Sequence, residues 1–128
     1  MPVTQFIAVV DDDKPVREAI KEYLVAVGLD AEAYPGAEEF LRSGRINDTA
    51  CLITDVTMPG MSGFQLTEHL SAFGHGVPVI IVTAYVDERS RAEAMRAGAI
   101  CFLPKPVAMN QLLSCIQSAL GLHKPKTE

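Results

Sequence analysis

Cys51-Leu52-Ile53-Thr54-Asp55-Val56-Thr57-Met58-Pro59-Gly60-Met61-Ser62-Gly63 is the stretch that decides how this chain folds. An apolar run ends in one carboxylate, and a Pro-Gly turn follows within a few residues. Cys51, Leu52 and Ile53 read as a short buried strand, bounded by the turn signals Met58-Pro59-Gly60 and Ser62-Gly63. Asp55 then stands at the C-terminal mouth of that strand, the edge where open parallel α/β sheets bind ligands. Taken alone, an Asp here is equally a turn initiator. Its weight depends on the rest of the chain.

Working outward, the same strand-then-polar pattern recurs. Phe6-Ile7-Ala8-Val9-Val10 is continuously apolar and reads as a central strand buried on both faces, stopping at Asp11-Asp12-Asp13. A helix follows, with Pro15 in its first turn, Val16, Ala19, Ile20, Tyr23, Leu24 and Val27 at helical spacing, and Gly28 as its stop. Residues 29–34 form a short strand broken by Pro35-Gly36, and 37–43 a short helix with Phe40 and Leu41 inward. Past the Asp55 loop come a helix from about 64 to 73 and a strand over 77–82, with Pro78 near its start. A polar-faced helix over 87–97 is closed by Gly98; a fifth strand spans 99–103 and a last helix 107–120. Helices alternating with five strands predict an α/β fold, a parallel sheet covered on both faces with right-handed crossovers.

Bulk properties narrow the function. The 128 residues suit one domain over 1–122, with 123–128 a polar tail or the start of a linker. A net charge of −5 gives no basic surface for nucleic acid. No apolar run approaches the roughly 20 residues that span a bilayer, and no signal-peptide pattern opens the chain, so a cytoplasmic location with no membrane partner is expected. Cys51, Cys101 and Cys115 lack metal-ligand spacing and are expected as buried free thiols. His69, His75 and His123 are too scattered for a metal cluster, and Met58 and Met61 read as loop packing.

The strand ends carry the chemistry. The first strand delivers Asp11 and Asp12, the third Asp55, the fourth Thr83 and the fifth Lys105. Adjacent strands would bring these groups into one crevice. Clustered carboxylates repel one another there unless a cation is present. Hard oxygen ligands of this kind suit Mg²⁺, which keeps waters and takes one or two carboxylates plus a phosphoryl oxygen. Each group also has a plainer role: Asp11 to Asp13 as a helix cap, Thr83 as another, Lys105 as a solvated charge.

Asp11-Asp12 after an apolar strand, Asp55-x-x-Met58-Pro59-Gly60-Met61-x-Gly63, Thr83-Ala84 and Lys105-Pro106, in that order, resemble the receiver domain of bacterial two-component response regulators. The resemblance runs from about Phe6 to Leu120. It implies a flavodoxin-like (βα)5 sandwich with sheet order 2-1-3-4-5. It also implies that Asp55 is a phosphoacceptor for phosphohistidine on a sensor histidine kinase or phosphotransfer protein, with weak self-phosphorylation and autodephosphorylation rather than enzymatic turnover. By position, Asp12 resembles the direct Mg²⁺ ligand alongside Asp55, the Thr57 backbone carbonyl a further ligand, and Asp11 a companion that acts through water or from behind the ligands. Lys105 would pair with phosphoryl oxygens, Thr83 would hydrogen-bond one of them, and Phe102 matches an aromatic switch position. The implied output surface, for a partner or a homodimer, is the face of the fourth helix, fifth strand and fifth helix. Val107 stands where the family often has Phe, and Tyr85 at a variable position that influences access to the phosphate.

Two other classes fit less well. A haloacid-dehalogenase-type phosphatase usually carries Asp-x-Asp after its first strand and a cap insertion. A flavin or nucleotide binder would want a Gly- or Ser/Thr-rich phosphate loop where Asp11-Asp12-Asp13 stands. No helix-turn-helix pattern follows Leu120, so the expectation is a single-domain regulator or a receiver ending at a linker.

Overall fold

The computed structural model describes residues 5–72, 74 and 76–123. Five parallel strands, β1 (Phe6–Val10), β2 (Ala31–Tyr34), β3 (Thr49–Asp55), β4 (Val79–Thr83) and β5 (Cys101–Pro104), form one sheet of order β2-β1-β3-β4-β5. The helices between them are α1 (Lys14–Ala26), α2 (Ala37–Arg42), α3 (Gly63–Ala72), α4 (Glu88–Ala97) and α5 (Met109–His123). This is the flavodoxin-like order expected.

Strand alternation divides the core in two. Ile7, Val9, Cys51, Ile53, Ile80 and Val82 face α1 and α5, where Ile20, Leu24, Leu112 and Ile116 meet them. Phe6, Ala8, Val10, Leu52, Val79 and Ile81 point the other way, onto Phe40, Leu66, Leu70 and Ala94 of α2, α3 and α4. Because both faces are covered, β1, β3 and β4 are buried at every residue, which is why they read as unbroken apolar runs rather than alternating ones. Of the α1 residues expected inward, Ile20 and Leu24 are buried, Val16 and Tyr23 partly so, and Ala19 and Val27 are exposed.

Several expected boundaries move. β3 begins at Thr49 and includes Asp55, so the carboxylate is the last ladder residue and not a loop residue; its partner is Val82. β2 starts two residues late because the Leu29 N–H is taken by the Leu24 carbonyl, closing α1. β4 and β5 also start two residues later than expected, and α5 begins at Met109, not 107, and runs through His123. A short 3₁₀ turn, Ile46–Asp48, precedes β3 and had no sequence signal. The helix end expected at Phe73, His75 and the tail over 124–128 lie outside the described residues. Of the three thiols only Cys51 is buried; Cys101 and Cys115 are half-exposed, because β5 is an edge strand with no neighbour beyond it.

Candidate functional site

The order β2-β1-β3-β4-β5 makes the order of strand addition reverse between β1 and β3, and ligands of open α/β sheets sit at that reversal. Asp11 follows β1 there and Asp55 closes β3 beside it, with Val10 paired to Thr54. Lys105 reaches in from just beyond β5, its backbone N–H donating to the Thr83 carbonyl at 2.9 Å and so prolonging the ladder. The Lys105–Pro106 peptide is cis.

Lys105 Nζ lies 2.9 Å from Oδ2 of Asp55, to which it donates a hydrogen bond, and 2.9 Å from Oδ2 of Asp11. The side chains are 16% exposed for Lys105, 1% for Asp11 and 9% for Asp55. Desolvation by itself would favour neutral lysine, but the contacts to Asp11 and Asp55 outweigh it and hold Lys105 above its ordinary pKa. Asp11 goes the opposite way to an exposed paired acid. Burial raises its pKa, Lys105 and the Asp13 N–H pull it back, and the Asp55 charge adds to the rise. At Asp11, burial therefore outweighs what Lys105 and the Asp13 N–H supply.

The donor set fits a divalent cation. One carboxylate oxygen each from Asp11, Asp12 and Asp55 lies within 4.8 Å of the others, with Asp12 on the solvent side. Oδ2 of Asp11 is buried without a hydrogen bond, since its approach to Nζ is an ion pair lacking hydrogen-bond direction. An all-oxygen, partly desolvated cluster with a spare lone pair has the donor chemistry that hard cations take. Thr57 lies in the exposed loop two residues past Asp55.

Glycines shape the loop that frames the pocket. A Cβ at residue 63 would overlap the Asp55 carbonyl oxygen, so only glycine lets the start of α3 lie against the end of β3; its N–H donates to the Val56 carbonyl at 3.0 Å. Gly60 takes φ +80 in the turn before it. Met58 is buried in the core and Met61 packs against the same cluster, as loop packing requires.

The remaining expected residues differ in how they meet the pocket. Thr83 is buried, and its Oγ1 accepts the Tyr85 N–H at 3.0 Å. It does not cap α4; Asp87 does, accepting from the Ser90 N–H at 2.7 Å. Asp13 accepts from the Val16 N–H at a long 3.5 Å as the cap of α1. Phe102 is 5% exposed, packed with the α4 side of the core, while Tyr85 is 68% exposed at the rim. Sequence reading missed two arginines. Arg17 Nη1 donates to the Asp11 carbonyl at 3.1 Å, and the Arg91 guanidinium lies over the Phe102 ring. Neither spacing belongs to a motif, and both contacts exist only once helices dock.

Fold and site together define a flavodoxin-like domain with an acidic, lysine-closed pocket at its switch point. The sequence profile of the response regulator receiver domain matches residues 7–117, and the chain belongs to that family. The transcriptional regulatory protein FixJ of Azorhizobium caulinodans is 37% identical over 121 residues, 94% of this chain and 57% of FixJ. The response regulator protein TodT of Pseudomonas putida is 35% identical over 116 residues, 91% of this chain and 51% of TodT. The solved structure of FixJ-N matches with a TM-score of 0.83 at 30% identity, covering 99% of this chain and 100% of that one. The chain spans about half the length of these curated relatives. Receiver domains are signalling switches of two-component systems, served by histidine kinases or phosphotransfer proteins. Among the described residues, no helix is long and apolar enough to cross a membrane.

Proposed function

We infer that Asp55 is the phosphoacceptor of this receiver and takes its phosphoryl group from a phosphohistidine. The observation that carries the reading is the double contact of Lys105 Nζ with Asp11 and Asp55 at 2.9 Å each. An Asp55 oxygen attacks phosphorus, the new P–O bond forms as the P–N bond breaks, and the released imidazole takes up a proton. Little covalent help is needed, but the phosphorus must be held in line and its oxygens neutralised. Lys105 supplies a fixed positive charge for one phosphoryl oxygen. Asp12 and Asp55, with the Thr57 carbonyl and Asp11 through water, would hold Mg²⁺, which when bound neutralises charge on the phosphoryl oxygens.

Thr83 stands at the end of β4 with its hydroxyl engaged by the loop, and turning it toward a phosphoryl oxygen would release the Tyr85 N–H. That rearrangement, coupled to Phe102, would alter the α4–β5–α5 face offered to a partner or second copy. Weak self-phosphorylation and hydrolysis follow from the same pocket.

Labelling by acetyl phosphate tests the acceptor. Wild type should take up one phosphoryl group, Asp55→Asn none, and Asp12→Ala the same residue more slowly. Stoichiometric labelling of Asp55→Asn would overturn the assignment.

A further inference from the structure

Asp12 is the most exposed member of the acidic cluster, and its carboxylate makes no hydrogen bond among the described residues. Nothing grips this side chain, so its position is set by the backbone that carries it. The peptide joining Asp11 to Asp12 is planar, so fixing the Asp11 carbonyl fixes the opposite N–H and the direction in which the Asp12 Cα lies. That carbonyl has left the β1 ladder and is held by a side chain. Arg17, six residues on in α1, donates from Nη1 at 3.1 Å.

The residue on the other side of that peptide is anchored independently. The Asp11 N–H donates to the Tyr34 carbonyl at 3.1 Å, and Oδ1 of Asp11 accepts the Asp13 N–H at 2.9 Å. With the Lys105 ion pair at Oδ2, four contacts thus clamp Asp11, and the one from Arg17 alone addresses the peptide plane leading to Asp12. Asp11 as a whole is 1% exposed, so its carbonyl depends on a protein donor, and Arg17 supplies it. The planar guanidinium is a rigid donor that adds direction as well as charge. It binds the carbonyl and takes no carboxylate oxygen of the cluster.

We propose that Arg17 is a positioning residue for divalent-cation binding: through the Asp11 carbonyl it sets the Asp11–Asp12 peptide and aims the Asp12 carboxylate into the pocket. This rests on the reading of the cluster as a Mg²⁺ site. Partners standing behind metal ligands typically carry 10–100-fold of the affinity, and the low end is expected here because Asp11 keeps its other three anchors. A purely electrostatic role has the opposite sign. Removing a positive charge beside three acids would tighten cation binding.

The test is titration of the full chain with Mg²⁺ alone, followed by backbone amide shifts of residues 10–13 and 54–58. In Arg17→Ala the midpoint should rise about tenfold, with thermal unfolding and the amide shifts of β4 and β5 close to wild type. Arg17→Lys, which keeps a charged donor of similar reach, should recover part of the loss, and it carries the comparison if Arg17→Ala does not fold. An unchanged or lower midpoint in both variants overturns the proposal while leaving the metal site standing. Wild type without Mg²⁺-dependent shifts at millimolar concentration overturns the metal reading and this proposal together.

Discussion

The Arg91 guanidinium carbon sits 5.3 Å from the centroid of the Phe102 ring, joining exposed α4 to the buried face of β5. Phe102 is inward here while Thr83 Oγ1 is bonded to the Tyr85 N–H. An inward ring therefore does not require Thr83 to have moved toward a phosphoryl group.

This contact sets a measurable bias. A cation over an aromatic face is worth about 0.5–1 kcal/mol at an exposed site, enough to shift a two-state ring severalfold. Arg91→Ala should increase exchange of the Phe102 ring, read from its aromatic resonances, without affecting Mg²⁺ binding at the pocket. Adding beryllofluoride should alter Thr83 and Phe102 together in wild type, and Thr83→Ala should uncouple them. A Phe102 ring identical in all of these states would exclude it as the switch.

Removing Lys105 leaves two buried carboxylates facing each other. Hydrogen bonds to charged groups are worth about 1.5–3 kcal/mol, so Lys105→Ala should lower metal-free stability by about 2 kcal/mol in urea titrations. Millimolar Mg²⁺ should narrow that gap, because ligand bound only to the folded state stabilises it by mass action. A gap that stays the same with and without Mg²⁺ would mean that cation and lysine do not share the same carboxylates.

Gly63→Ala addresses the backbone beneath the acceptor. Its Cβ would overlap the Asp55 carbonyl oxygen, and backbone has no flexible end to swing aside. Overpacking of this kind costs about 1–3 kcal/mol, and the amides around Asp55 should shift in the metal-free spectrum. Wild-type stability for this variant would show that the start of α3 is free to slide.

The cap of α4 gives a pH signature. The Ser90 backbone N–H, then its hydroxyl, hold Asp87 below its ordinary value of 3.8, against a small opposing effect of burial. A depressed folded value means the unfolded chain binds the proton more tightly. The contribution is thus complete above about 3.8 and fades as pH falls through the lower folded value. Asp87→Ala should melt earlier than wild type at neutral pH, and the difference should close in acid. A difference that persists unchanged at pH 2 would point to a cause other than the charged cap.

Cys101 is half-exposed yet protected by its chemistry. Desolvation, followed by Cys115, pushes its thiol up to about 12, and burial does the same to Cys51. Alkylation by iodoacetamide at pH 8 should be slow at both in the native protein and rapid in urea, because the thiolate is the nucleophile. Fast native labelling of Cys101 would contradict that environment.

Much of this protein was legible in one dimension. Buried parallel strands need continuous apolar runs, so β1, β3 and β4 announced themselves, and strand-helix alternation fixed the layering. Asp11, Asp55, Thr83 and Lys105 were readable because each follows or closes a strand, and a parallel sheet sends all such ends to one edge. What stayed hidden depends on how the elements dock, whether the partners are near or far in sequence. That Lys105 meets Asp11 as well as Asp55, that Arg17 turns back to the Asp11 carbonyl, and that Arg91 covers Phe102 follow from how helices dock on the sheet. The exposure of Cys101 was hidden in its apolar surroundings; it follows from β5 being an edge strand, which the implied sheet order contained but the residues beside it did not. Local composition selects the elements and their inward faces; only packing decides which charges share a pocket.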